Sequence, residues 1–191
     1  MGKFVLASAS PRREELLKQL NLKFTIVPSR IDESQFNNLK PADMVKKLAV
    51  AKAEAVSDLV EDTIIIAADT VVVYKDRVLN KPEDAEDAKN MLSSLSGEKH
   101  QVITAVALMN SETNEYLVEH DITSVYMEEI FEEEINKYIE TGEPMDKAGA
   151  YAIQGLGALF VKKIKGSYYS VVGLPLNRLA KMLKKFNYGI L

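Results

Sequence analysis

Apolar and polar positions alternate along this chain between two periods. "KFVLAS" is a short, continuous apolar run of the kind that makes a buried strand, and it leads through Ser8, Ala9, Ser10 and Pro11 into a helix over about Pro11 to Leu20. "KFTIVPS" predicts a second short strand, and "RIDESQFNNLK" is polar and looplike. Pro41 suits a first helical position and opens "ADMVKKLAVAKAEAVSDLV", in which Val45, Leu48, Val56 and Leu59 form one apolar face. "TIIIAADTVVVY" is β-branched and almost wholly apolar, as expected of a strand covered on both faces.

The second half continues the alternation. "KDRVLNKPED" predicts a turn, a short strand and a loop, and "DAEDAKNMLSSL" a helix that Gly97 stops. "HQVITAVALM" and "EYLVEHDITSVYM" are two strands expected to pair antiparallel. "EEIFEEEINKYIE" is an amphipathic helix closed by Thr141 and Gly142. A Gly-rich loop, strands in "ALFVKKI" and "YYSVV", and a helix after Pro175 complete the chain. Alternating elements with antiparallel pairs predict an α/β fold with a mixed sheet, in one domain over residues 1–191 without a clean internal boundary.

Composition narrows the chemistry. The chain has 191 residues, 47% of them hydrophobic, and a formal net charge of −4, which gives no overall attraction to nucleic acid or an anionic membrane. It contains no cysteine and two histidines, so thiolate chemistry is excluded and a multi-histidine metal site is not expected. Lys3 before "FVLASAS" faintly imitates a signal peptide, but the apolar run is too short, and no stretch reaches the roughly 20 apolar residues that span a bilayer. The expected location is the cytoplasm.

Three placements break local rules. Arg12 and Arg13 stand in the first turn of a helix, where cations face the positive end of the dipole. With Ser10 as cap and Pro11 in the first turn, a strand-to-helix junction of this kind binds anions, and guanidinium forks match phosphate oxygens. Surface pairing of both arginines with Glu14, Glu15 or distant carboxylates is the plain alternative. Asp69 puts a carboxylate in the apolar run, where burial demands a cation, a metal or hydrogen bonds, and where it could serve as general base. Thr70 adds a second polar group. Lys52 lies four residues from both Leu48 and Val56, on the apolar face, so its stem either snorkels outward or sends its ammonium inward. Glu33 is a candidate partner of Asp69 for Mg²⁺, and Lys81 lies in a loop before Pro82. Gln154, among Gly149, Gly155 and Gly157, could read a base edge through its donor and acceptor. His100 has no evident relay, and Lys162, Lys163 and Lys165 are expected on the wet face of a strand.

"LASASPRREELL", "AADTVVV" followed by "NKPED", "GEKHQVITAVAL" and "EPMDKAGAYAIQGLGALFVKKIKGSYYSVVGLPL", in that order, resemble the Maf family of nucleoside triphosphate pyrophosphatases over essentially the whole chain. The resemblance implies a mixed β-sheet flanked by helices, with two lobes around a central cleft, similar to the inosine-triphosphate pyrophosphatases. It implies metal-dependent hydrolysis of a nucleoside triphosphate to the monophosphate and pyrophosphate, with Mg²⁺ or Mn²⁺ as cofactor. The family's proton acceptor matches Asp69. Its subgroup-determining positions match Arg12, Thr70 and Gln154, a set that resembles the members acting on dTTP and UTP, with modified pyrimidine triphosphates as further candidates. Ser8, Arg13, Glu33, Lys52 and Lys81 match other polar positions of the family's cleft, Glu33 and Asp69 being the expected metal ligands. The implied role is house-cleaning of the nucleotide pool, with room for a homodimer and no stable nucleic-acid or membrane partner. The alternative is a nucleotide-sensing regulator of septum formation with little turnover.

Overall fold

A computed structural model describes residues 4–190. Strand β1 (Phe4–Leu6) runs into helix α1 (Pro11–Lys18), followed by β2 (Phe24–Ile26), a 3₁₀ turn at Glu33–Phe36, α2 (Pro41–Ser57), β3 (Ile64–Tyr74) and β4 (Arg77–Leu79). Then come α3 (Ala85–Leu95), β5 (Lys99–Asn110), β6 (Tyr116–Met127), α4 (Glu132–Glu140), short 3₁₀ segments up to Phe160, β7 (Val161–Lys165), α5 (Tyr168–Val172) and α6 (Leu176–Lys185). The strands form one seven-stranded sheet in the order β2-β1-β3-β5-β6-β7, with β4 paired to β3. β1 pairs parallel with β2 and β3, whereas β3–β4 and β6–β7 are antiparallel, so the sheet is mixed, as the element pattern predicts.

The chain divides into two compact units. The first comprises Met1–Asp69, Thr104–Asp121 and Gly173–Leu191, and the second Thr70–Ile103 and Ile122–Val172. In the first, Leu6, Leu16, Leu17, Ile65, Ile66, Leu108, Leu174 and Leu179 are fully buried. Each such side chain contributes about 1.5–3 kcal/mol of hydrophobic stabilisation. The second is built on a cluster including Val72, Leu92, Leu95, Val102, Val125, Ile135 and Phe160. Among the described residues no helix is long and apolar enough to cross a membrane.

Four local expectations are corrected. "YYSVV" is not a strand: its β-branched and aromatic composition is overridden by Ser167, whose Oγ accepts the Ser170 N–H at 3.3 Å and so caps α5. "ALF" ends a 3₁₀ helix over Gly155–Phe160, and the strand begins only at Val161. Leu59 lies beyond the end of α2 and is exposed, so the apolar face of that helix stops at Val56. Part of the polar stretch before α2 is ordered, because Asp32 Oδ1 accepts both the backbone N–H (3.0 Å) and the hydroxyl (2.6 Å) of Ser34. The Lys162, Lys163 and Lys165 side chains of β7 are exposed, as expected.

His100 is buried in the second unit, where its Nε2 lies 2.6 Å from the Tyr151 hydroxyl and its Nδ1 has no partner among the described residues. Burial lowers its pKa to about 4. The unfolded chain titrates near 6.5, so as pH falls from 6.5 toward 4 protons bind the unfolded state preferentially and stability drops. Between pH 7.5 and 4.5 this one group removes about 2–3 kcal/mol, a loss that urea unfolding will show to be absent from His100→Gln.

Candidate functional site

Asp69 closes the portion of β3 that belongs to the first unit, and its side chain is 9% exposed. An unpaired carboxylate so placed would cost several kcal/mol, and the fold supplies a cation instead. Lys52 Nζ donates to Asp69 Oδ1 at 2.6 Å and pairs with Glu33 Oε1 at 2.7 Å. The lysine therefore points inward from the apolar face of α2, between buried Leu48 and Val56, with its side chain only 12% exposed. Glu33 reaches the same ammonium from the 3₁₀ turn that Asp32 caps, its own side chain 57% exposed. One buried cation thus joins two carboxylates from different elements.

Arg13 is a further cation of the same unit. Its Nε donates to the Gly173 carbonyl at 2.9 Å and its Nη1 to Ser8 Oγ at 3.3 Å, which fixes the guanidinium at the β1–α1 junction. Ser8 is buried, and its Oγ also accepts the Ser10 N–H at 3.2 Å. Ser10 occupies the N-cap position of α1 but makes no capping bond with its side chain, contrary to expectation. Burial lowers the Arg13 pKa, Asp69 opposing it, and the guanidinium stays charged at neutral pH. Burial likewise raises the Asp69 pKa, and the fields of Lys52 and Arg13 pull it back without cancelling the rise. Arg12, half-buried, follows Pro11 in the same first turn.

The structure thus brings Ser8 to Arg13 and Lys52 to Asp69 and Glu33, all within one unit. Thr70, Lys81 and Gln154 belong to the second. Thr70 is half-buried in β3, Lys81 is exposed just after β4, and Gln154 is half-buried at the N-cap position of the 3₁₀ helix Gly155–Phe160. Pattern reading passes over one residue here, Glu143, which holds that helix through its backbone amides. A signal for it is present only as the glycines at 155 and 157.

Could Glu33 and Asp69 hold a divalent cation? Their oxygens already converge on one positive centre, the Lys52 ammonium. One or two carboxylates completed by phosphate oxygens and water is a donor set that Mg²⁺ accepts. Among the described residues no group of three or more His, Asp or Glu could hold a metal ion by itself.

A family model described as Maf-like protein matches residues 3–186. Three similar curated proteins are each named dTTP/UTP pyrophosphatase. One from Pelotomaculum thermopropionicum is 52% identical over 191 residues, covering all of both chains. One from Bacillus cytotoxicus is 51% identical over 189 residues, covering 99% of this chain and 98% of its own. One from Ruminiclostridium cellulolyticum is 48% identical over 193 residues, with both chains fully covered. Among solved structures, the Staphylococcus aureus Ham1 protein aligns with a TM-score of 0.46 at 14% identity, over 65% of this chain and 71% of that one.

Proposed function

The chain belongs to the Maf-like protein family, and from that premise we propose that it hydrolyses dTTP and UTP to the monophosphate and pyrophosphate. The observation that carries the reading is the buried carboxylate of Asp69, held at 2.6 Å by an inward-pointing lysine in the same unit as Arg13. A site that only gripped polyanions would gain nothing from a carboxylate, which repels phosphate. A carboxylate whose pKa is raised is useful when a proton must be taken.

In this mechanism Asp69 accepts a proton from the water that attacks the α-phosphorus, and pyrophosphate leaves. Arg12, Arg13, Lys52 and Lys81 bind the phosphate oxygens and offset the charge that develops on them. Ser8 fixes the Arg13 fork by accepting from Nη1. A divalent cation, Mg²⁺ or Mn²⁺, held by Glu33 and Asp69 would add Lewis-acid stabilisation of the same oxygens. Thr70 and Gln154 select the base, since polar groups built to pair with one base edge reject ligands that leave them unpaired. The same reading places the enzyme in the cytoplasm, clearing unwanted triphosphates from the nucleotide pool.

The test is a panel of nucleoside triphosphates incubated with purified protein and Mg²⁺, with products resolved by anion exchange. dTMP or UMP plus pyrophosphate is the expected outcome, with dTTP and UTP preferred over purine triphosphates. Diphosphate plus orthophosphate would overturn the reaction class, and absence of turnover with retained nucleotide binding would favour the regulator.

A further inference from the structure

The 3₁₀ helix Gly155–Phe160 begins next to Gln154, yet Gln154 makes no side-chain capping bond. The amides of that first turn still need an acceptor. Glu143 supplies it from twelve or so residues upstream: Oε2 accepts the Leu156 N–H at 3.1 Å, and Oε1 accepts the Gly157 N–H at 3.1 Å and the Tyr138 hydroxyl at 3.0 Å. The fit leaves little room for a side chain at positions 155 and 157. A Cβ at Gly155 would stand 2.8 Å from both carboxylate oxygens, and one at Gly157 would stand 2.6 Å from the Tyr138 hydroxyl oxygen. Gly155 also has φ +71°, a conformation that glycine adopts without strain. Burial pushes the Glu143 carboxyl up, but the Gly157 and Leu156 amides and the Tyr138 hydroxyl outweigh it and bring its pKa below the ordinary value. The carboxylate is therefore ionised at neutral pH, and its bonds to the two amides are charge-assisted.

We propose that Glu143 is a positioning residue for substrate selection: its carboxylate caps the helix in place of Gln154, fixing the Gln154 backbone and leaving its amide to address the base. The proposal rests on the assignment of Gln154 to base recognition. Glu143 touches no reacting atom and acts only through the loop.

The ratio of kcat/KM for dTTP to that for dCTP, two pyrimidines with opposite donor and acceptor patterns at position 4, reads the positioning directly. Glu143→Gln, which keeps size but loses charge and one acceptor, is expected to lower that ratio about tenfold, within what a misplacement of about 1 Å costs. Amide exchange at Leu156 and Gly157 should quicken in the same variant. Gln154→Ala should lower the ratio as well, and the double variant Glu143→Gln/Gln154→Ala should be no worse than Gln154→Ala alone. Tyr138→Phe removes one of the three donors and should move the ratio the same way by a smaller factor, which keeps the test available if Glu143→Gln folds poorly. A purely structural role would depress both substrates equally and leave the ratio unchanged, and that result overturns the proposal. So would a double variant whose loss is the product of the two single losses. If Gln154→Ala itself leaves the ratio unchanged, the assignment of Gln154 fails and the proposal with it; if only Glu143→Gln does, the assignment stands and the proposal alone falls.

Discussion

Asp69→Asn is expected to lower kcat for dTTP by on the order of 10²–10⁴, the contribution typical of a positioned general base, while the protein stays folded. The substitution is isosteric. Its amide oxygen can still accept from Lys52, and Lys52 retains its 2.7 Å pair with Glu33, so no buried cation is stranded. In the absence of divalent cation the lost group is simply an anion beside a polyanionic ligand, so nucleotide affinity should then hold or improve. Calorimetric titration of a non-hydrolysable dTTP analogue and steady-state pyrophosphate release measure the two effects separately. Turnover near the wild-type rate would remove Asp69 from the chemistry. Weakened binding with an unchanged kcat would make it a ligand-holding residue and not a base.

Much of this site can be read from the chain because its members violate the rules of their own elements. A carboxylate in "IIIAADTVVV" and a lysine on the apolar face of α2 are each costly in isolation, and the structure shows that the two offset each other across 2.6 Å. What the one-dimensional pattern leaves open for Lys52, outward snorkelling or inward pairing, is a three-dimensional question. It depends on β3 lying within reach of α2, which no periodicity reports. Arg13 is legible as an anomaly, but its anchoring to the Gly173 carbonyl spans 160 residues of sequence and could not be anticipated. The fold shows the same split. The long apolar run of β3 and the first helical proline of α2 are local signals and were sufficient for those elements. "YYSVV" fails because strand preference depends on context, and here the five residues form a helical turn capped by the Ser167 hydroxyl. Glu143 is invisible for a related reason: a capping carboxylate in sequence-adjacent position would announce itself, whereas this one lies outside the helix it caps.

Lys52→Met should lower kcat at neutral pH, for an electrostatic reason. Burial already raises the Asp69 pKa, and Lys52 is the foremost group restraining it, ahead of Arg13, while Glu33 adds to the rise. Removing the ammonium takes away the foremost restraint on a buried carboxyl, so the acid limb of the kcat profile should move to higher pH. Near neutral pH a larger share of Asp69 is then protonated than in wild type, so kcat should fall, at most by the roughly 10²–10⁴ typical of a lost general base, and recover in part as pH rises. Stability follows with a definite sign. A carboxyl whose folded pKa exceeds its unfolded value binds protons preferentially in the folded state, so the stability it contributes is present at low pH and lost as pH rises through the folded pKa. The variant should therefore lose more stability than wild type as pH rises, because its ionised Asp69 no longer has the Lys52 ammonium beside it. The double variant Lys52→Met/Asp69→Asn, carrying neither charge, should regain most of that stability and none of the activity. An unshifted acid limb in Lys52→Met, or a double variant no more stable at pH 8 than the single one, would mean that the Lys52–Asp69 pair does not set the protonation state on which the catalytic role of Asp69 depends.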